Sequence, residues 1–104
     1  MDIEIISASE LKRIINNKME LRKYQIVDLR EKNEYHEFHV YSAVNIEYDR
    51  FMKISNYNAF LNKNKIIILY CDRGGRSIYA VNRLAKYGYT VKTLSGGISE
   101  YIKN

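Results

Sequence analysis

The chain has 104 residues, of which 46% are apolar and 28% charged, close to the averages for a globular domain, so that order is the default expectation and one domain over residues 1–104 fits the length. Its net charge of +5 is carried by scattered lysines with no like-charged block, which predicts a solvated basic surface and gives no sign of a nucleic-acid partner. No apolar run is long enough to span a bilayer, the opening MDIEIISASE lacks the basic-then-apolar order of a signal peptide, and a single cysteine excludes an internal disulfide, so a cytoplasmic chain with no membrane partner is expected.

No internal repeat, low-complexity tract or linker interrupts the chain. Residues 3–6 (IEII) form a short β-favouring run. Ser7, with Glu10 three positions later, carries a capping-box signature for a helix whose apolar face is Leu11, Ile14 and Ile15. Tyr24 to Leu29 is expected as a second strand, Glu31 to Phe38 as a short polar helix, and Ala43 to Ile46 as a third strand. From Tyr48 to Leu61, helical spacing of Phe51, Ile54, Phe60 and Leu61 is broken near Ser55 and Asn56, which predicts two short helices. Lys65 to Tyr70 (KIIILY) carries five consecutive large, mostly β-branched residues without polar alternation, of the kind buried on both faces of a parallel sheet. A helix is expected over Ser77 to Tyr87, with Ile78, Val81, Leu84 and Ala85 on one face and Gly88 as a left-handed stop. Thr90 to Leu94 follows as a fifth strand, Gly96 and Gly97 turn the chain, and Ile98 to Lys103 form a terminal helix. Five strands alternating with helices predict an α/β domain with a mainly parallel sheet.

In such sheets ligands bind beyond the carboxyl ends of the strands. The segment that follows the most apolar strand is Cys71-Asp72-Arg73-Gly74-Gly75-Arg76-Ser77, which runs into a helix N-terminus. The free N–H groups of a first helical turn, and glycines that let neighbouring amides turn inward, make a cradle for an anion. Arg76 and Arg73 add positive charge, and the Ser77 hydroxyl is placed either to cap the helix or to bond a ligand. The same surroundings favour a thiolate at Cys71, opposed by the Asp72 carboxylate, which is expected to point outward. A cysteine that merely fills a core needs no glycines or arginines after it; a thiolate in an anion site needs both.

This loop resembles the C-x-x-G-x-R-S active-site loop of the rhodanese, or sulfurtransferase, family, and the likeness extends along almost the whole chain. Ile26-Val27-Asp28-Leu29-Arg30 resembles the family's Asp-hydrophobic-Arg segment, with Glu34-Tyr35 as its acidic-aromatic pair. His39-Val40 and Ala43-Val44-Asn45-Ile46 resemble its H-I-x-G-A-x-N-I segment, and Leu94-Ser95-Gly96-Gly97 its closing L-x-G-G. Phe38 and Ser42 stand where the family usually has glycine, which puts the local backbone path around His39 in question. The resemblance implies a three-layer rhodanese-like domain with a five-stranded sheet between helices. It also implies a mechanism without cofactor or metal. Cys71 takes the outer sulfur of a small sulfur-containing anion such as thiosulfate, becomes a persulfide, and hands that sulfur to a thiol, cyanide or a protein acceptor. Arg73, Gly74, Gly75, Arg76 and Ser77 then form the anion site.

Asp28 and Arg30 end a strand and are expected to support the loop through hydrogen bonds or an ion pair. His36 and His39 have no second cysteine or compact ligand set around them, so a structural place is expected. Two other functions compete. A cysteine phosphatase or arsenate reductase places its arginine six positions after the cysteine, where this chain has Ser77. A non-catalytic interaction module of the same fold commonly lacks the cysteine.

Overall fold

The computed structural model describes residues 3–103. Its elements follow in the order β1 (Ile5–Ile6), α1 (Ala8–Ile15), α2 (Lys18–Leu21), β2 (Tyr24–Asp28), α3 (Lys32–Glu37), β3 (Val44–Asn45), α4 (Tyr48–Phe51), a 3₁₀ turn at Tyr57–Ala59, β4 (Ile66–Tyr70), α5 (Gly75–Ala85), β5 (Thr90–Leu94) and α6 (Gly97–Lys103). All five strands are parallel, in the order β1-β5-β4-β2-β3. The expected mainly parallel sheet is therefore wholly parallel, as crossover helices between successive strands require.

β4 is the centre of this sheet, in register with β2 from Tyr24 opposite Ile66 to Asp28 opposite Tyr70, and with β5 on its other side. Alternation sends its side chains to opposite faces. Ile67 and Leu69 join Phe51, Tyr57, Val81 and Leu84 beneath α4 and α5. Ile68 and Tyr70 join Leu11, Ile14 and Ile98 beneath α1 and α6. An apolar strand without polar alternation is thus explained by helices on both faces, each buried aliphatic side chain contributing about 1.5–3 kcal/mol.

Ser7 caps α1 as expected, its Oγ accepting from the Glu10 N–H at 3.1 Å. The Glu10 carboxylate turns to Arg13 instead of closing the box. α2 was not expected; Asn17 caps it, with Oδ1 accepting from the N–H groups of Met19 and Glu20. The signal is Asn17 with Glu20 three positions on, the same spacing as at Ser7. α5 starts at Gly75, two residues before the expected Ser77, because Gly74 takes the left-handed φ of 98° and supplies the turn.

Candidate active site

The carboxyl ends of β2 and β4 and the N-termini of α5 and α6 enclose an open depression of about 710 Å³. Cys71 lies at its base, only 6% exposed, and Asp72, Arg73, Gly75 and Arg76 line it together with Arg30, Glu31 and Glu34. The loop owes its shape to where its carbonyls go. The Ile98 N–H donates to the Cys71 carbonyl at 2.9 Å and the Ser99 N–H to that of Asp72 at 3.0 Å, so the first turn of α6 holds both oxygens back. On the other side of the chain the Gly74 N–H donates to Cys71 Sγ at 3.2 Å. Gly74 then leads into α5, whose first-turn amides lack intrahelical acceptors and whose dipole is positive at that end.

Gly97 makes this approach possible. Its φ is +62°, and a Cβ there would stand 2.6 Å from the Cys71 carbonyl oxygen and closer still to that of Asp72. Arg76 is exposed and stacks over the Tyr48 ring with 5.2 Å to the centroid, at the edge of the depression. Arg73 and Asp72 are exposed at its rim. Asp72 thus faces solvent, as expected, while remaining part of the opening. Ser77 lies elsewhere: fully buried, its hydroxyl donates to the Gly74 carbonyl at 3.2 Å and pairs with Thr93 Oγ1 at 2.6 Å. It sits beneath the loop because it is the third residue of α5, inside the turn that packs on β5.

Asp28 and Arg30 form a buried ion pair at 2.9 Å, with the guanidinium also donating to the Phe38 carbonyl and the Asp28 carboxylate accepting from the Arg30 N–H at 2.8 Å. Burial opposes the charge on Arg30, but the hydrogen bonds and charge of Asp28 outweigh it and hold the guanidinium above its ordinary range. Asn45 Nδ2 donates to the carbonyls of both Asp28 and Arg30 at 3.0 Å. Tyr70, next to Cys71, accepts the Val40 N–H at 3.0 Å, and burial, with the charge of Asp28, pushes its phenol far up. Neither Asn45 nor Tyr70 was assigned a place at the site from the sequence. His39 stacks on Tyr35 at 3.8 Å between centroids, with Nδ1 at 2.8 Å from the Tyr35 carbonyl, and does not line the cysteine opening.

Residues 7–104 of the chain match the family model of the rhodanese-like domain. The chain belongs to the rhodanese-like family. Membership places it among sulfur-transfer-related domains. It is 39% identical over 79 residues to a probable molybdopterin-synthase adenylyltransferase of Porphyra purpurea, covering 76% of this chain and 20% of that protein. It is 30% identical to the chloroplastic thiosulfate sulfurtransferase 16 of Arabidopsis thaliana, over 81% of this chain and 78% of that protein. The chain spans about a fifth of the length of the adenylyltransferases it matches. The crystal structure of a rhodanese-like domain protein from Staphylococcus aureus superposes with a TM-score of 0.81 at 29% identity, covering 95% of this chain and 91% of that one. No helix among the described residues is long and apolar enough to cross a membrane.

Proposed function

We propose that Cys71 is the sulfur-carrying nucleophile of a sulfurtransferase. Its thiolate attacks the outer sulfur of a donor such as thiosulfate; the donor's S–S bond breaks, sulfite leaves with the bonding pair, and Cys71 holds the sulfur as a persulfide. A thiol, cyanide or an acceptor protein then attacks that outer sulfur and the Cys71 thiolate departs. The observation that carries this reading is the Gly74 N–H directed at Cys71 Sγ in a loop whose carbonyls are tied back to α6. Oriented amides at a helix N-terminus stabilise negative charge on the attacking sulfur and on the persulfide that replaces it. Arg73 and Arg76 attract the anionic part of the donor, Gly74 and Gly75 supply backbone amides, Ser77 braces the Gly74 carbonyl, and the Asp28–Arg30 pair fixes the strand end behind the loop.

Incubation with thiosulfate is expected to add one sulfur to the protein, visible by intact mass and removed by cyanide. Cys71→Ser abolishes that addition, and undiminished loading in this variant would overturn the assignment. A donor or acceptor presented by a protein is a second reading. It is favoured by the mixed charge of the opening, where Glu31, Glu34 and Asp72 stand among Arg30, Arg73 and Arg76 and suit a partner surface carrying both signs. A phosphatase reading has less support, since the position its arginine would need is occupied by the buried Ser77.

A further inference from the structure

Thr93 lies on β5, beneath the cysteine loop and outside the lining of its opening. Its side chain is buried, and its hydroxyl meets Ser77 Oγ at 2.6 Å. The direction of that bond follows from the protons available. A serine hydroxyl carries a single proton, and that of Ser77 goes to the Gly74 carbonyl at 3.2 Å, an oxygen that can only accept. Thr93 is therefore the donor to Ser77, and two hydroxyls in series end on one carbonyl.

What that carbonyl controls is the amide at the other side of its peptide bond. The Gly74–Gly75 peptide is trans, so its C=O and N–H point in opposite directions. The oxygen is turned inward to the buried Ser77, which turns the Gly75 N–H outward to the depression that Gly75 lines. Gly75 opens α5, and a first-turn N–H has no intrahelical acceptor. Side-chain packing cannot hold this plane. Gly74 sits at a φ of +98°, and even a Cβ on Gly75 would meet nothing within 4 Å. The hydroxyl chain supplies the hold that the glycines lack. Hydrogen bonds in series also polarise one another, so a carbonyl that accepts from Ser77 leaves its own N–H a stronger donor.

We propose that Thr93 is a positioning residue for the cysteine site. Acting through Ser77, it fixes and polarises the Gly74–Gly75 peptide so that the Gly75 N–H donates to the anion seated above Cys71. The Gly74 N–H already meets Sγ at 3.2 Å, and the next amide along the turn serves the atom bonded to that sulfur. This assignment rests on the reading of Cys71 as a sulfur carrier, in which that atom is the outer sulfur of the persulfide.

The test follows the Gly75 amide by ¹⁵N-edited NMR while sulfite, an anion with no sulfane sulfur to transfer, is titrated into the whole chain. In the unaltered protein the Gly75 amide proton is expected to move downfield to saturation. Thr93→Val, which keeps the shape and removes the hydroxyl, should cut that movement to about half or less and slow sulfur loading from thiosulfate at least about threefold. Thr93→Ser should restore both. Ser77→Ala breaks the chain at its next link, so adding Thr93→Val to it should cause no further loss. Tyr57→Phe, which removes a buried hydroxyl at the far end of the sheet, should change neither readout and separates positioning from stability. The proposal is overturned by a Gly75 amide that ignores sulfite in the unaltered protein, by an equal response in Thr93→Val, by a loss that Thr93→Ser fails to restore, or by additive losses in the double variant. Because the titration needs no sulfur transfer, a failure of the unaltered protein to load sulfur overturns the sulfur-carrier reading alone, and the Gly75 response still decides the place of Thr93.

Discussion

The two ends of the sheet use buried polar groups in different ways. At the amino end they finish aromatic packing. The Tyr57 hydroxyl, pushed up by burial, donates to the Phe51 carbonyl at 2.7 Å and accepts from Arg83 Nε at 2.9 Å, while its ring meets Tyr87 and Tyr89 edge-on. At the carboxyl end they are small groups that hold the turns after β2 and β4. Asp28, Ser77 and Thr93 are the buried polar residues of the described chain besides the tyrosines, and they anchor the Arg30 N–H and the Gly74 carbonyl directly or through one another. Groups that order a backbone turn are costly to bury, so their collection at one end of the sheet marks the end where backbone geometry is most closely held.

The strongest way to break that contrast is Asp28→Asn. It leaves the 8%-exposed Arg30 guanidinium without its counter-charge, and removing one partner of a buried pair costs about 3–5 kcal/mol. Urea unfolding should show this loss with sulfur loading impaired alongside, and Asp28→Asn combined with Arg30→Met should recover part of the stability. A loss below about 1 kcal/mol would mean that the pair is open to solvent in practice. Gly97→Ala comes next. Strain at positive φ together with displacement of the Cys71 and Asp72 carbonyls is expected to cost about 2–4 kcal/mol, and loading should fall with it because the loop itself must move. At the other end, Tyr57→Phe removes a hydroxyl and two hydrogen bonds for about 1–1.5 kcal/mol. Its loading rate should equal that of the unaltered protein, and a slowed rate would join two regions that the contrast separates.

Much of this arrangement is legible in the sequence because it rests on short-range rules. The run Ile66 to Leu69 declares a strand covered on both faces, Gly88 a left-handed stop, and the glycines after Cys71 a turn into a helix. Less legible is anything set by contacts between distant segments. Ser77 looks like a cap or a ligand until α5 is seen to begin at Gly75 and to bring Thr93 within hydrogen-bond distance, sixteen positions away. Gly97 reads as a turn, whereas its decisive property is a close approach to carbonyls some twenty-five positions earlier. Tyr70 looks like the apolar end of a strand, and only the fold shows its hydroxyl meeting Val40. The short α2 is missed because its four residues are too few for apolar periodicity to appear, although Asn17 caps it.

The smallest expected change in stability belongs to Arg76→Ala, and its value lies in separating charge from scaffold within the carboxyl end itself. Arg76 is exposed and stacks on Tyr48, so its loss should shift folding by no more than about 0.5 kcal/mol. If its charge draws in the anionic part of a donor, kcat/KM for thiosulfate falls about tenfold or more while loading from an uncharged sulfane donor is unchanged. An equal fall with both donors would move Arg76 from the donor's charge to the reacting sulfur. The carboxyl end then offers two layers to tell apart by measurement: a buried set whose loss is expected to destabilise the loop, and an exposed set whose loss is expected to change the response to a charged donor alone.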